Sequence, residues 1–215
     1  MRGVFVFCTW YTVSMLLTIS GLPGSGKTTV AKLLAKKLRV PYVSIGGLRR
    51  AMAKERGMTL EEFNALGETK GFTDKDVDRW QAKEAKRIGR GVYEGRLSFY
   101  FIPTSFKIFL KSNYATAAKR IFSDPSSIRR FEGSFTTIPQ VVRSLKGRVA
   151  SDTRRYIKYY GVDIFDPRQY DLVLTTTSKT PEQIVEKILA AIRSRDHRVH
   201  KVGTKSGLST RKKEK

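Results

Sequence analysis

The chain has 215 residues, 40% of them hydrophobic, with 17 Gly and 7 Pro, proportions that exclude a disordered or fibrous chain and suit one compact domain. Lys and Arg number 42 against 19 Asp and Glu, and the resulting net charge of +23 favours nucleotides, nucleic acid or an anionic membrane as partners. The single cysteine, Cys8, excludes an internal disulfide and is typical of a reducing compartment, so we expect a cytoplasmic protein.

The first residues could be mistaken for a membrane segment, because no residue from Gly3 to Gly26 is charged. This run continues without a break into a glycine-rich loop whose preceding strand must lie inside a sheet, and Met15 provides a start for that strand. We therefore expect residues 1–14 to be an extension outside the core, consistent with an upstream start codon. A membrane anchor is the alternative.

The sequence GLPGSGKT at residues 21–28 satisfies the phosphate-loop pattern G-x-x-x-x-G-K-[ST]. An apolar strand at residues 15–20 precedes it and an amphipathic helix follows it, which argues against a chance glycine-rich turn. Lys27 would reach the β and γ phosphates of a nucleoside triphosphate, and Thr28 would bind Mg²⁺. The predicted nucleotide-binding residues are Gly21, Leu22, Pro23, Gly24, Ser25, Gly26, Lys27, Thr28 and Thr29.

The remaining chain alternates strands with helices, which predicts a parallel sheet with helices on both faces. We expect the further strands at residues 41–44, 91–94, 106–111 and 171–176, and the further helices at residues 48–56, from 59, at 74–88 and from 180. Thr59 and Thr180 each begin a capping box. The predicted fold class is α/β, a P-loop NTPase or kinase fold with a five-stranded parallel sheet.

Two segments interrupt this pattern inside a predicted domain of residues 15–192. Helices at about 45–88 would form an insertion that binds a phosphoryl acceptor. Residues 115–160 carry ten Lys and Arg against three acids, and this positive charge suits a helical lid that closes over phosphates. A solvated pair of basic helices is the alternative for the second segment.

The last segment, residues 193–215, has nine Lys and Arg against two acids and no apolar periodicity after Val199. We expect a disordered basic tail there. It could serve solubility or contact nucleic acid.

Five segments together resemble archaeal-type cytidylate kinases: the phosphate loop, VSIGGLRRAMAKERGMTLEEF, VYEGRLS, RVASDTRRYIKYYGVDI and YDLVLTT. The resemblance covers roughly residues 15–192 in the same order. It implies the P-loop kinase fold and transfer of the γ-phosphoryl group of ATP to CMP or dCMP with Mg²⁺.

The same resemblance assigns roles to five residues. Arg50 and Arg96 would grip the acceptor phosphate, and Arg148, Asp152 and Arg155 match the R-x-x-x-D-x-x-R spacing of the second lid helix. There the aspartate would hold ribose hydroxyls while the arginines contact phosphate and pyrimidine. These three positions share one helix face. An ordinary helix salt bridge is the alternative for Asp152 and Arg155.

The same resemblance concerns two acidic residues. Glu94 ends the third strand, where the family carries an acid near the Mg²⁺ water shell. A buried structural glutamate that pairs with Lys27 or an arginine is the alternative. Asp78 belongs to a D-x-x-x-D segment with Asp74 and is interpreted as structural or close to the acceptor. The predicted catalytic residues are Lys27, Arg96 and Arg148, and the predicted metal ligands are Thr28 and Glu94.

The chain departs from the family pattern at a few positions. Gly47 stands where the family usually has Asp, and Asp124 stands where it usually has a lid arginine near ATP. An acid there would weaken closure of the lid unless Arg129 or Arg130 substitutes.

Two functional hypotheses follow. The first is a monomeric nucleoside monophosphate kinase with no membrane attachment. The alternative is a basic P-loop ATPase that acts on RNA or ribosomal particles through its positive charge.

Overall fold

The computed structural model describes residues 15–59, 62–63, 66, 72–124 and 135–206, with the side chains of residues 72–76 and 196–206 left aside. The extension predicted for residues 1–14, the candidate lid arginines Arg129 and Arg130, and residues 207–215 lie outside the described residues. Within the described part of the chain, no helix is both long and apolar enough to cross a membrane.

Five parallel strands form one sheet in the order β2-β3-β1-β4-β5. The strands are β1 (Leu16–Gly21), β2 (Tyr42–Ser44), β3 (Gly91–Glu94), β4 (Phe106–Lys111) and β5 (Leu172–Thr175). The strand that precedes the phosphate loop is thus central and buried. Ile19 in β1 pairs with Glu94 in β3, so the end of β3 lies beside the start of the loop.

Helices cover both faces of the sheet, which confirms the predicted fold class. They are α1 (Lys27–Leu38), α2 (Ile45–Glu55), α3 (Phe72–Ile88), α4 (Ser98–Phe101), α5 (Tyr114–Phe122), α6 (Ile138–Tyr160) and α7 (Pro181–Ser206). On one face, Leu34 of α1 and Ile188 of α7 pack against Ile108 of β4. On the other, Tyr156 of α6 packs near Phe109, the next residue of the same strand. The alternation of side chains along a strand explains this division.

Both predicted capping boxes are present. The Thr59 hydroxyl accepts from the Glu62 N–H at 3.1 Å, while the Glu62 carboxylate accepts from the Thr59 N–H at 2.8 Å. Thr180 and Gln183 make the equivalent pair at the start of α7, at 3.3 and 3.1 Å. Each pair satisfies two N–H groups that a helix start leaves without intrahelical partners.

Two predicted boundaries differ from the structure. The helix expected from residue 48 begins at Ile45, because Ser44 caps it by accepting from the Gly47 N–H at 3.1 Å. The expected tail begins inside α7, which continues to Ser206. Once a helix is nucleated, extension by helix-forming Arg and Lys residues costs little, so residues 193–206 are helical instead of irregular.

Two helices that pack against each other are described in the segment predicted to form a lid, and the interruption expected between them lies largely outside the described residues. The first, α5, ends at Phe122 and the second, α6, begins at Ile138. Buried side chains join the two helices: Ala117, Ala118, Ile121, Val141 and Leu145. Arg148 of α6 lines a cleft at the carboxyl end of the sheet.

Candidate active site

A cleft of about 410 Å³ lies at the carboxyl ends of the strands, within the usual size range of sites for small molecules. The phosphate loop and the first turn of α1 form its floor. The end of β3, helices α2, α3, α5 and α6, and the connection between β5 and α7 form its walls.

The phosphate loop is shaped to receive an anion. Gly24 and Gly26 have φ angles of +72° and +84°, which other residues adopt at a cost. Gly26 caps α1 without a side-chain hydrogen bond, so the first N–H groups of the helix face the cleft without intrahelical partners. The buried Ser25 hydroxyl also has no hydrogen-bond partner among the described residues. Phosphate oxygens would satisfy these donors.

Lys27 lies beside the loop and donates from Nζ to the Leu22 carbonyl at 2.8 Å. Burial lowers the pKa of Lys27 to about 8, although the Glu94 carboxylate acts in the opposite direction. The charges of Arg96 and Arg148 lower that pKa further. The site therefore holds more positive charge than its own acids balance, which suits a polyanionic ligand.

The two predicted metal ligands lie side by side. Thr28 donates from Oγ1 to Glu94 Oε1 at 3.2 Å, and the Glu94 carboxylate is 9% exposed. Among the described residues no cluster of three or more His, Cys, Asp or Glu could hold a metal by itself. One hydroxyl and one carboxylate beside a phosphate loop fit Mg²⁺, which keeps several water ligands and binds largely through substrate phosphates.

Glu94 accepts hydrogen bonds from three hydroxyl groups. Besides Thr28, the hydroxyls of Tyr42 and Ser44 donate to Oε2 at 2.8 and 3.1 Å. Burial raises the pKa of Tyr42 to about 12, and the neighbouring Glu94 charge adds to this rise. Tyr42 and Ser44 were not predicted as site residues, because strand alternation does not show which polar residues face the neighbouring strand end.

The predicted phosphate-binding arginines Arg50, Arg96 and Arg148 all line the cleft. Burial lowers the pKa of Arg148 to about 10, and the positive charges of Arg96 and Arg50 contribute in the same direction. These cations come from α2, the end of β3 and α6. A phosphate group between them would relieve their mutual repulsion and bind in the forked geometry that arginine favours.

The other two predicted acceptor residues lie behind the cleft wall. Asp152 and Arg155 are 3% and 4% exposed, and Arg155 Nη2 lies 3.1 Å from Asp152 Oδ1. Asp152 also pairs with Arg96, and Arg155 donates to the Tyr156 hydroxyl at 3.0 Å. The three predicted positions of α6 are thus close together, but only Arg148 reaches the cleft itself.

A buried polar network in α3 forms part of the cleft wall. Gln81 Nε2 donates to Asp78 Oδ1 at 2.9 Å, and Ser98 donates to Gln81 Oε1 at 2.9 Å. The Tyr160 hydroxyl at the end of α6 donates to Asp78 Oδ2 at 2.5 Å. Gln81 was not predicted, although a polar residue at helical spacing from the buried Val77 and Ala85 could have revealed it.

At the opposite end, Arg120 binds the connection between β5 and α7. Its Nη2 donates to the Thr176 carbonyl at 2.6 Å, and the Thr176 hydroxyl donates to the Ser25 carbonyl at 3.0 Å. These bonds tie α5, in the segment predicted to form a lid, to the phosphate loop. Asp124, the residue that replaces the usual arginine, lies on this wall of the cleft.

The chain is similar in sequence to proteins of known family. The profile of the cytidylate kinase-like family matches residues 16–178. A cytidylate kinase of Methanobrevibacter smithii is 36% identical over 179 residues, which cover 83% of this chain and 99% of that protein. One of Archaeoglobus fulgidus is 37% identical over 183 residues, with 83% and 94% covered.

Among solved structures, shikimate kinase from Bacteroides thetaiotaomicron superposes with a TM-score of 0.57 at 14% identity, over 83% of this chain and 98% of that one. At this identity the similarity concerns the fold alone, and it confirms the P-loop kinase architecture. The phosphate loop, the strand order and the sequence similarity over most of the chain lead to one assignment: the chain belongs to the cytidylate kinase-like family.

Proposed function

We propose that this chain is a cytidylate kinase that transfers the γ-phosphoryl group of ATP to CMP or dCMP, with Mg²⁺, and releases ADP with CDP or dCDP. One observation carries the proposal: a single cleft joins a phosphate loop containing Lys27 and Thr28 to three arginines on the opposite wall. A triphosphate and a monophosphate can bind there end to end. The cytidine preference is supported by membership of the family.

The phosphoryl donor would bind on the floor of the cleft. N–H groups of the loop and of the first turn of α1 would hold its β and γ phosphates, and Lys27 would leave the Leu22 carbonyl to join them. Thr28 and Glu94 would hold Mg²⁺, which when bound supplies charge neutralisation between the β and γ phosphates.

Arg50, Arg96 and Arg148 would hold the phosphate of the acceptor in line with the γ phosphorus. A bond forms between an acceptor phosphate oxygen and that phosphorus, while the bond from phosphorus to the β–γ bridging oxygen breaks and leaves its electron pair on ADP. The attacking oxygen is already ionised at neutral pH, so no general base is required. The arginines contribute by positioning and by neutralising charge on the transferring group.

For Asp152 and Arg155 the family implies contact with the ribose and the pyrimidine, which these two side chains could make only by leaving their buried positions behind the cleft wall. In this structure they contact Arg96 and Tyr156, both of which line the cleft. We propose that they also orient these two side chains for the acceptor. Asp78 and Gln81 lie on the wall nearest to them and would contact the acceptor as well.

The two sequence relatives named above are both cytidylate kinases, and they give no support to an ATPase that acts on RNA or ribosomal particles. We propose a monomer that acts in the cytoplasm, where its nucleotide substrates are found.

The test is ADP formation by the full chain with ATP and Mg²⁺, in the presence of CMP, dCMP, UMP, AMP or GMP. We expect strong stimulation by CMP or dCMP and its loss in Lys27→Ala. Slow turnover that is indifferent to every monophosphate would contradict the proposal. Salt-sensitive binding of RNA by such an inactive chain would favour the alternative.

A further inference from the structure

The carboxylate of Glu94 is held by three hydroxyl groups from two different elements. Thr28 of α1 donates to Oε1, while Tyr42 and Ser44 of β2 donate to Oε2, at 3.2, 2.8 and 3.1 Å. Parallel pairing creates this arrangement, because Ser44 lies opposite Glu94 in the register of β2 and β3. Residues about fifty positions apart in sequence thereby converge on one buried group.

The three hydroxyl donors are neutral, so they do not cancel the charge of the Glu94 carboxylate. An arginine or lysine partner would cancel the carboxylate charge, whereas hydroxyls orient it and leave it in place. The Thr28 hydroxyl directs its proton to Glu94, so its lone pairs remain for another partner. A charged carboxylate beside hydroxyl lone pairs is a set of hard oxygen atoms suited to a divalent cation.

Ser44 has a second partner that links the two walls of the cleft. Its oxygen accepts from the Gly47 N–H at 3.1 Å and caps α2, the helix that carries Arg50. A hydroxyl can donate one hydrogen bond and accept another at the same time. The side chain that orients Glu94 is therefore also fixed by the helix on the acceptor side.

We propose that Tyr42 and Ser44 are positioning residues for the metal site. Their hydroxyls hold Glu94 in the orientation in which it and Thr28 receive the divalent cation that accompanies the triphosphate. This rests on the proposed function only in assuming that the ligand is a metal–triphosphate complex. Removal of a side chain that hydrogen-bonds to a metal ligand usually lowers metal affinity about 10- to 100-fold.

The test is ATP binding by isothermal titration calorimetry, without acceptor, in Mg²⁺ and in EDTA. The ratio of the two Kd values gives the gain in affinity due to the metal. Tyr42→Phe removes one oxygen and keeps the ring. We expect it to reduce the metal-dependent gain about tenfold and to leave binding in EDTA unchanged. Tyr100→Phe, whose ring is exposed, is the matched control with no expected effect.

A double-mutant cycle separates positioning from a general structural effect. In a Glu94→Gln background, Tyr42→Phe should cause no further loss of the metal-dependent gain, because its partner has already been changed. Ser44→Thr, which keeps the hydroxyl, should retain the gain that Ser44→Ala loses. An unchanged gain in Tyr42→Phe, or an equal loss in both backgrounds, would overturn the proposal.

This readout does not depend on phosphoryl transfer. If CMP is not phosphorylated but Mg²⁺ tightens ATP binding, the proposed function fails while the positioning role is still decided by the cycle. If Mg²⁺ does not tighten ATP binding to the unaltered chain, the positioning proposal is overturned.

Discussion

Arg96, just beyond the end of β3, and Asp152, in the middle of α6, form an ion pair in which Nη1 lies 2.9 Å from Oδ1 and 2.8 Å from Oδ2. Asp152 also accepts from Arg155, so one carboxylate faces two guanidinium groups. The pair joins the sheet to the predicted lid. This ion pair is one of the contacts that hold α6 to the phosphate end of the cleft.

Asp152→Ala should lower the free energy of unfolding by about 3–5 kcal/mol, because two buried or half-buried cations lose their counter-charge. Urea denaturation measures this change. Asp166→Ala is the control, since Asp166 pairs with the exposed Arg168 at the surface and its loss should cost much less. Similar losses in the two variants would contradict a special role for the Arg96–Asp152 pair.

Binding of ATP should be coupled to protonation of Lys27. Its pKa is about 8 in the nucleotide-free protein, and bound phosphates raise it again. At pH 8 the chain should therefore take up about 0.5 proton per ATP, and more at pH 9. Calorimetry in buffers of different ionisation enthalpy measures the uptake. Absence of proton uptake at pH 9 would contradict the lowered pKa of Lys27.

The same lysine should destabilise the nucleotide-free protein at neutral pH. Below pH 8 Lys27 is charged in the folded and in the unfolded chain, and burial of that charge lowers the free energy of unfolding. Between pH 8 and 10.5 the folded chain loses the charge, so this cost disappears as the pH rises. Lys27→Met should raise the unfolding free energy at pH 7 by about 1–3 kcal/mol. In thermal unfolding, this difference should shrink above pH 8. A difference that is constant with pH would contradict the explanation.

Two glycines of the phosphate loop should differ in their tolerance of alanine. A Cβ at Gly24 would lie 2.9 Å from the Cβ and the carbonyl oxygen of Ala117, whereas one at Gly26 would meet nothing within 4 Å. Gly24→Ala therefore adds overpacking to backbone strain and should cost about 2–4 kcal/mol. Gly26→Ala should cost only about 1–2 kcal/mol. Chemical denaturation measures the loss of unfolding free energy in each variant. Equal losses would show that the contact with Ala117 is unimportant.

Asp124 should weaken ATP binding, because it places a negative charge on the wall of a cleft for a triphosphate. Asp124→Asn should lower the KM for ATP about threefold or more, with a larger effect at low salt. Glu55→Gln, which removes the same charge from an exposed position at the end of α2, is the control. An unchanged KM at both salt concentrations would show that Asp124 does not act on the nucleotide.

The sequence was sufficient to predict the phosphate loop, its flanking strand and helix, five parallel strands and both capping boxes. These features depend on local spacing: a glycine pattern, an apolar run, or a threonine three residues before Glu or Gln. The start of α2 was predicted three residues too late. Ser44 caps α2 at a place where the two following glycines favoured a turn.

The tertiary structure alone decided which distant side chains meet. Sequence spacing placed Arg148, Asp152 and Arg155 on one helix face, but the depth of α6 against the sheet determines that only Arg148 reaches the cleft. Strand order determines that Tyr42 and Ser44 reach Glu94. Local patterns specify the backbone of each element because they act within a few residues. The contacts of Glu94 and the contact between Arg96 and Asp152 join residues that are 50 to 66 positions apart, and these depend on how the whole sheet packs.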